Sequence, residues 1–99
     1  SPYDQRMFAL ASYNVGQAHV DDARRLADRL GLDAEVWDQG ISLTLPLLAQ
    51  REFSKNARHG SCQGLVATRY AENVSDLYEQ YSQLLPESLV DRDGGVGEP

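Results

Sequence analysis

The sequence predicts an all-α protein, a bundle of four to five helices in one domain. Apolar residues recur at intervals of three and four through most of the chain, which is the period of a helix. Gly16 and Gly31 punctuate these periodic runs where helices would end. The one segment that alternates like a strand contains Pro46, which has no N–H to offer a sheet. A chain of 99 residues can bury one modest core.

The first helix is predicted from Asp4, whose carboxylate can cap it, to about Asn14. Gly16 should break it. The apolar residues that this helix would direct toward the core or beside it are Met7, Phe8, Leu10, Ala11 and Val15.

A second helix is predicted from about His19 to Leu30, with Gly31 as a left-handed cap. Its apolar stripe consists of Val20, Ala23, Leu26, Ala27 and Leu30. The other side carries opposite charges at spacings of three and four, which is typical of a solvated helix face. Those residues are Asp21, Asp22, Arg24, Arg25, Asp28 and Arg29.

The middle of the chain predicts two short helical pieces. Asp33 can cap a helix over Ala34 to Asp38, which would bring Trp37 onto the core, and Gly40 should interrupt it. The apolar segment 41–48 is predicted as a broken helix, because its proline excludes a central strand and it has no partner run of β-branched residues.

A glycine-bearing loop is predicted at residues 58–64, followed by a long helix from about Val66 to the residue before Pro86. Tyr78 and Tyr81 should belong to the core, and Glu72 should be solvated. Residues 1–85 form the predicted domain. Residues 86–99, with two prolines and three glycines, are predicted to be a disordered tail.

Composition excludes some classes of partner. The formal net charge of −6 argues against binding to nucleic acid, which needs clustered Lys and Arg. The sequence lacks an apolar run of about 18 residues, so no membrane span is predicted. It also lacks a basic and then apolar amino terminus, so no signal peptide is predicted. Because the sequence starts with Ser-Pro-Tyr, we expect an excised piece of a larger protein.

Metal and cofactor sites are not predicted. His19, His59 and Cys62 could supply three ligands, but their spacing matches no familiar zinc module. A Cys62–His59 nucleophilic pair would lie in a flexible loop without a third orienting group. As the single cysteine, Cys62 cannot form an intramolecular disulfide.

Two short segments carry the functional signal. Residues 8–16 read FALASYNVG, and residues 68–74 read TRYAENV. Tyr13 can offer a stacking face and a hydroxyl, and the amide of Asn14 can both donate and accept, which suits an N-acetyl sugar. From the residue types alone, a tyrosine packed in the core and an asparagine that caps a helix terminus is the better explanation of the pair.

The order of these segments, with a Trp-containing connector, a Leu-Pro-Leu-Leu segment and a glycine-bearing loop between them, resembles the catalytic domain of the lytic transglycosylases through most of residues 6–85. The resemblance implies the carboxy-terminal half of a lysozyme-like helical domain that acts on peptidoglycan glycan strands. It also implies a periplasmic or outer-membrane location. It assigns Tyr13 and Asn14 to the cleft wall, with Asn14 near the acetamido group, and Tyr70 to the side facing the catalytic acid.

The family's catalytic glutamate lies in a Glu-Ser motif upstream of the Tyr-Asn pair, and that motif is not found before Phe8. A Gly-Leu-Met-Gln-type motif is also missing, and the Glu87-Ser88 dipeptide stands in the wrong order. The resemblance thus implies that no catalytic residue lies in this chain and that the chain alone is inactive. Two alternatives are a non-catalytic glycan-binding module and a helical protein-interaction domain with an exposed apolar patch. A fragment could also self-associate.

Overall fold

The computed structural model describes residues 1–86, and all regular structure in that range is helical, which confirms the predicted all-α class. A π-type turn at Trp37–Ile41 joins the second and third helices. The α-helices of the described range are α1 (Pro2–Val15), α2 (Gln17–Arg29), α3 (Ser42–Leu47), α4 (Arg51–Ser54) and α5 (Gly64–Leu84).

Helix α1 begins earlier than predicted, and the prediction of Asp4 as its cap is wrong. The Ser1 hydroxyl caps the helix by accepting the N–H of Asp4 at 3.2 Å, and Pro2 occupies the first turn, where its missing N–H costs nothing. The Asp4 carboxylate instead accepts the backbone N–H of Trp37 at 2.8 Å. Asp4 therefore ties the start of α1 to the connector after α2.

Helix α2 ends at Arg29, and the predicted left-handed cap is present at Gly31, whose φ is 77°. The N–H of Gly31 donates to Asp28 O at 3.2 Å, and the N–H of Leu32 donates to Ala27 O at 2.8 Å. Together these bonds form a Schellman motif, which satisfies the last carbonyls of the helix. Leu30 is 48% exposed, so the buried part of the predicted apolar stripe ends three residues earlier, at Ala27.

The predicted helix over Ala34 to Asp38 is wrong. The Asp33 carboxylate accepts the N–H of Glu35 at 2.9 Å, as an N-cap would, but Val36 is extended, with φ −118° and ψ 137°, so no helix follows. The chain then kinks, with Gln39 at a φ of 58°. Trp37 is nevertheless fully buried, as predicted.

The predicted helix in the segment 41–48 is present as α3, but it is not broken, since Pro46 lies inside its last turn. The first residue of α5 packs directly on this helix: a Cβ added to Gly64 would collide with the backbone carbonyl of Leu45. A hydrogen bond of 3.3 Å from the N–H of Cys62 to Leu48 O also joins the two regions. A glycine is therefore required where α5 begins.

The core lies where α1 packs against α5 and α2, with α3 packed against α5 and α2. Helices α1 and α5 each contribute buried alanines, and such small side chains allow two helix backbones to approach closely. The buried apolar residues are Met7, Ala11, Val20, Ala23, Leu26, Ala27, Trp37, Ile41, Leu45, Leu48, Ala67 and Ala71.

Asp22 corrects the prediction of a fully solvated charged face on α2. Its side chain is buried, and its carboxylate accepts the backbone N–H groups of Arg58 and His59 at 3.1 and 2.9 Å and a 2.6 Å hydrogen bond from Arg25. Burial alone would raise the pKa of Asp22, but these donors outweigh it and hold the pKa below its ordinary value.

Tyr81 corrects the prediction of a core aromatic residue, because 63% of its surface is exposed. Tyr78 is half-buried, with the guanidinium carbon of Arg6 at 4.5 Å from its ring centroid. The apolar residues of α5 therefore extend beyond the surface of the helix that the neighbouring helices cover. The Glu87-Ser88 dipeptide and residues 87–99 of the predicted tail lie outside the described residues.

Candidate functional site

Two predicted site residues, Tyr13 and Tyr70, lie against each other although 57 positions separate them in sequence. Their ring centroids are 6.3 Å apart, and the ring planes differ by 21°, a stacked arrangement. Tyr13 is 83% exposed near the end of α1, whereas Tyr70 is half-buried on α5. The pair therefore presents one aromatic surface to solvent.

The end of α1 sets the direction of Tyr13 and Asn14. Gly16 has a φ of 98°, and its N–H donates to Ser12 O at 2.8 Å. Helix α2 begins at the next residue, so the corner between the helices is tight. The conformation favours glycine at position 16, because residues with a side chain rarely adopt a positive φ. The space around the position would itself admit a Cβ.

Asn14 is exposed on the last turn of α1, next to Tyr13 in sequence. Successive helical positions lie about 100° apart, so the amide and the Tyr13 ring point in different directions from one helix end. The structure thus brings Tyr13 to Tyr70 and leaves Asn14 at the edge of the pair. Within residues 1–86 no side chain hydrogen-bonds the Tyr70 hydroxyl.

An apolar surface continues from Tyr70 along α5. We call it the α5 stripe. Its members recur at intervals of three or four residues, so they share one side of the helix. Val66, Leu77, Tyr81 and Leu84 are 56, 50, 63 and 78% exposed. The members of the α5 stripe are Val66, Tyr70, Val74, Leu77, Tyr81 and Leu84.

Glu72 is a site candidate that the sequence interpretation treated as solvated. It is half-buried, and its carboxylate accepts a hydrogen bond from Trp37 Nε1 at 3.4 Å. Glu72 also lines a cavity of about 450 Å³, and the other lining residues are Tyr3, Met7, Ser75, Asp76 and Glu79. Periodicity could not reveal this cavity, because it forms only where α1 meets α5.

The potential around this cavity is negative. The Tyr3 hydroxyl donates to Asp38 at 3.0 Å. Burial raises the pKa of Tyr3 to about 12, aided by the Asp38 hydrogen bond and the charges of Asp38, Glu72 and Asp4. Such a cavity disfavours an anionic ligand.

Residues His19, His59 and Cys62 do not form a site in the structure. Among the described residues no group of three or more His, Cys, Asp or Glu side chains is placed to hold a metal ion. Burial raises the pKa of the Cys62 thiol, with a smaller contribution from Asp22. That direction disfavours the thiolate that a nucleophilic cysteine needs.

A second cavity, of about 520 Å³, lies beside the loop that Asp22 holds. Its lining residues are Ala49, Arg51, Ser54, Lys55 and Ser61. In contrast to the acidic cavity, it is lined by two cationic side chains and two hydroxyls.

None of the helices in the described part of the chain combines the length and hydropathy that crossing a bilayer requires.

No protein-family model matches the chain. The chain is similar to a membrane-bound lytic murein transglycosylase F from Shewanella woodyi, at 38% identity over 111 residues that include 98% of this chain and 23% of the relative. Proteins of the same description from Shewanella loihica and Shewanella oneidensis are 44 and 43% identical over 79 residues, or 79% of this chain and 16% of each relative. The chain thus spans less than a quarter of these relatives' length.

Proposed function

Since the chain belongs to the family of the membrane-bound lytic murein transglycosylases F, of which it spans a segment, we propose that it supplies one wall of a cleft that binds peptidoglycan glycan strands. The observation that carries this proposal is the exposed Tyr13–Tyr70 stack at the end of α1. An aromatic face with a hydroxyl at its edge suits a sugar ring, which has apolar C–H faces and polar rims.

Asn14 complements the aromatic pair. Its exposed amide offers both a donor and an acceptor, which are the groups that an N-acetyl substituent requires. We assign Asn14 to the acetamido group and the Tyr13 ring to the sugar face. Tyr70 then has its ring in the wall and its hydroxyl available to hold the catalytic acid.

In the proposed reaction one glutamate, supplied by another part of the parent protein, serves twice. As an acid it protonates the glycosidic oxygen between N-acetylmuramic acid and N-acetylglucosamine while the bond to C1 breaks. As a base it then removes the proton of the muramyl 6-hydroxyl, whose oxygen bonds to C1. The product is a 1,6-anhydromuramyl end, formed without water, in contrast to the two-carboxylate scheme of most glycosidases.

Tyr70 is a positioning residue in this proposal, because it acts through the acid. A hydrogen bond from its hydroxyl would favour the ionised form of the glutamate and orient it.

A protein that acts on murein belongs to the cell envelope, and we propose the periplasmic side of a membrane as the location of the parent protein.

The test joins the chain to its natural upstream segment and measures anhydromuropeptides released from purified sacculi. Asn14→Ala and Tyr70→Phe should each lower the rate by about tenfold or more, with unfolding midpoints unchanged. Asn73→Ala and Tyr81→Phe are matched controls at other exposed positions and should retain activity. Tyr70→Phe should also move the basic limb of the pH–rate profile to higher pH, because the glutamate must start protonated and loses a hydrogen bond that favours its ionised form. Full activity in both site variants would discard the assignment.

A second candidate function is supported by the α5 stripe. A helical protein-interaction domain should expose an apolar patch, and the α5 stripe is such a patch. A half-domain separated from the rest of its parent would expose a similar surface, so the patch alone does not decide between the two functions.

Chitooligosaccharide titration of the 99-residue chain, followed by NMR, separates these candidates. Chemical shift changes confined to Tyr13, Asn14 and Tyr70, without turnover, support a glycan-binding wall. The interaction-domain candidate predicts no such changes.

A further inference from the structure

The corner between α1 and α2, which carries Tyr13 and Asn14, has little support on its α2 side. Gly16 is the N-cap of α2, and no side chain among residues 1–86 caps the helix there. The N–H of Val20 reaches Gly16 O only at 3.4 Å, a long hydrogen bond. Apart from its chain neighbours, no heavy atom of the described residues lies within 4 Å of where a Cβ on Gly16 would stand. Further support at the surface of the corner has to come from other side chains.

Three side chains form a hydrogen-bonded relay across this corner. The Ser12 hydroxyl donates to Gln17 Oε1 at 3.1 Å, and Gln17 Nε2 donates to Asp21 Oδ1 at 2.9 Å. We call Ser12, Gln17 and Asp21 the corner relay. Gln17 and Asp21 lie four positions apart on α2, so the second bond fixes the Gln17 side chain along one face of that helix. The corner relay therefore joins the last turn of α1 to the first turn of α2, across Gly16.

The corner relay encloses both site residues of the corner in sequence. Ser12 directly precedes Tyr13, and Gln17 follows Asn14 by three positions. Tyr13 is 83% exposed and Asn14 is exposed as well, so packing does little to hold either side chain. The last turn of a helix also frays readily, because its final carbonyls lack partners within the helix. A bond from Ser12 to α2 opposes that fraying.

We propose that Gln17 is a positioning residue, which holds the end of α1 so that Tyr13 and Asn14 are oriented for a sugar before it binds. The inference rests on the proposed function for the identity of the ligand. Gln17 acts through Ser12 and touches no substrate in this proposal. Preorganisation of this kind lowers the entropy that the protein loses on binding. An amide suits position 17, because it accepts from the Ser12 hydroxyl at one end and donates to the Asp21 carboxylate at the other.

The experiment titrates the 99-residue chain and its variants with chitotetraose and follows backbone amides by NMR. Gln17→Ala and Ser12→Ala should each raise the Kd by about two- to fivefold, which corresponds to the loss of one exposed hydrogen bond. The urea unfolding midpoints should stay close to that of the parent chain, because alanine is the most favourable residue in a helix. Gln80→Ala removes an exposed glutamine from α5 and is the matched control, with an unchanged Kd.

The double variant Ser12→Ala/Gln17→Ala distinguishes positioning from direct contact with the sugar. If both residues act through one relay, the double variant should bind no more weakly than the weaker of the two single variants. If Gln17 itself contacted the sugar, the two losses would multiply.

An exchange of groups within the corner relay provides a rescue. Gln17→Glu alone places a second carboxylate beside Asp21, so it should weaken binding as Gln17→Ala does. Adding Asp21→Asn restores both hydrogen bonds, because the new carboxylate can accept from the Ser12 hydroxyl and from the new amide. The exchanged pair keeps the net charge of the parent chain, and its Kd should return to within about twofold of the parent value.

An unchanged affinity in Gln17→Ala, losses that multiply in the double variant, or an exchanged pair that does not recover binding would each overturn the positioning role. In all three cases the parent chain binds chitotetraose, so the glycan wall stands. A parent chain without chitotetraose binding would reject the glycan wall, and the role of Gln17 with it.

Discussion

The carboxylate of Asp22 holds the loop between α4 and α5, although the residue belongs to a helix rich in exposed charge. Two backbone N–H groups and the Arg25 guanidinium satisfy it. An isolated buried carboxylate would be costly, but one with three donors can favour its ionised form despite burial. One side chain thus links the middle of α2 to residues 36 and 37 positions later.

We predict that Asp22→Asn lowers the free energy of unfolding by about 2–4 kcal/mol. The asparagine NH₂ would replace one acceptor oxygen and meet an N–H donor, and Arg25 would lose its charged partner. The folded-state pKa of Asp22 lies below the unfolded value. Its stabilisation is therefore present in full above the unfolded-state pKa of about 3.9 and is lost as the pH falls through the folded-state pKa.

Urea unfolding between about pH 3 and 7 measures this effect. The free energy of unfolding of the variant should fall less toward acid pH than that of the parent chain. The variant should keep the acid dependence that comes from Asp4, because the pKa of Asp4 is also lowered. Asp28→Asn, an exposed change on the same helix, should leave the profile unaltered. A parallel acid profile in Asp22→Asn would contradict the assignment.

At the scale of the element, the start of α5 is determined by its contact with α3 rather than by its own helix propensity. Glycine is a poor helix former, and Gly64 has no positive φ that would require it. Its requirement comes from the Leu45 carbonyl and the Pro46 nitrogen, against which a Cβ would collide. Both are backbone atoms, so relief requires moving a helix.

Gly64→Ala is therefore predicted to destabilise the protein by about 1–3 kcal/mol, the usual cost of overpacking, although alanine is favoured in an isolated helix by about 1 kcal/mol. Arg69→Ala, an exposed change in the second turn of α5, is the control and should stay within about 0.5 kcal/mol of the parent chain. Thermal unfolding of both variants decides the matter. A stabilised Gly64→Ala would show that the α3–α5 contact is looser than described.

At the scale of the whole molecule, α5 has two apolar sides, and within residues 1–86 the other helices cover mainly one of them. Ala67 and Ala71 face the core, while the α5 stripe faces solvent next to Tyr13. Exposed apolar surface of this extent favours association, through burial against any complementary partner. A second copy of the chain is the partner that is always present in a purified sample.

We predict that the isolated chain self-associates through the α5 stripe. Leu77→Glu and Tyr81→Glu should each reduce the dimer fraction in sedimentation velocity by about fivefold or more, because each change places a charge within the apolar contact. Leu65→Glu lies on another side of α5, at 48% exposure, and serves as the control. A parent chain that stays monomeric at high concentration would contradict the prediction.

The sequence predictions succeeded where a feature depends on neighbouring residues and failed where it depends on distant ones. The left-handed cap at Gly31 and the break at Gly16 depend on neighbouring residues, so composition and spacing predicted them. The prediction of a helix over Ala34 to Asp38 failed because Val36 is extended and the Trp37 N–H bonds the distant Asp4 carboxylate, a contact that spacing along the chain does not show. Of the candidate site, the pattern singled out Tyr13, Asn14 and Tyr70, but the half-burial of Glu72 beside the cavity between α1 and α5 had no signal in the sequence.

The sequence by itself determined the helical class, most helix ends and the family, because these depend on local backbone preferences and on the identity of residues along the chain. The tertiary structure alone decided that Tyr13 stacks on Tyr70, that Asp22 is buried and that Tyr81 is exposed. The physical reason is that periodicity shows which residues share a side of a helix, whereas only the packing of α1, α2 and α3 around α5 determines which sides are covered.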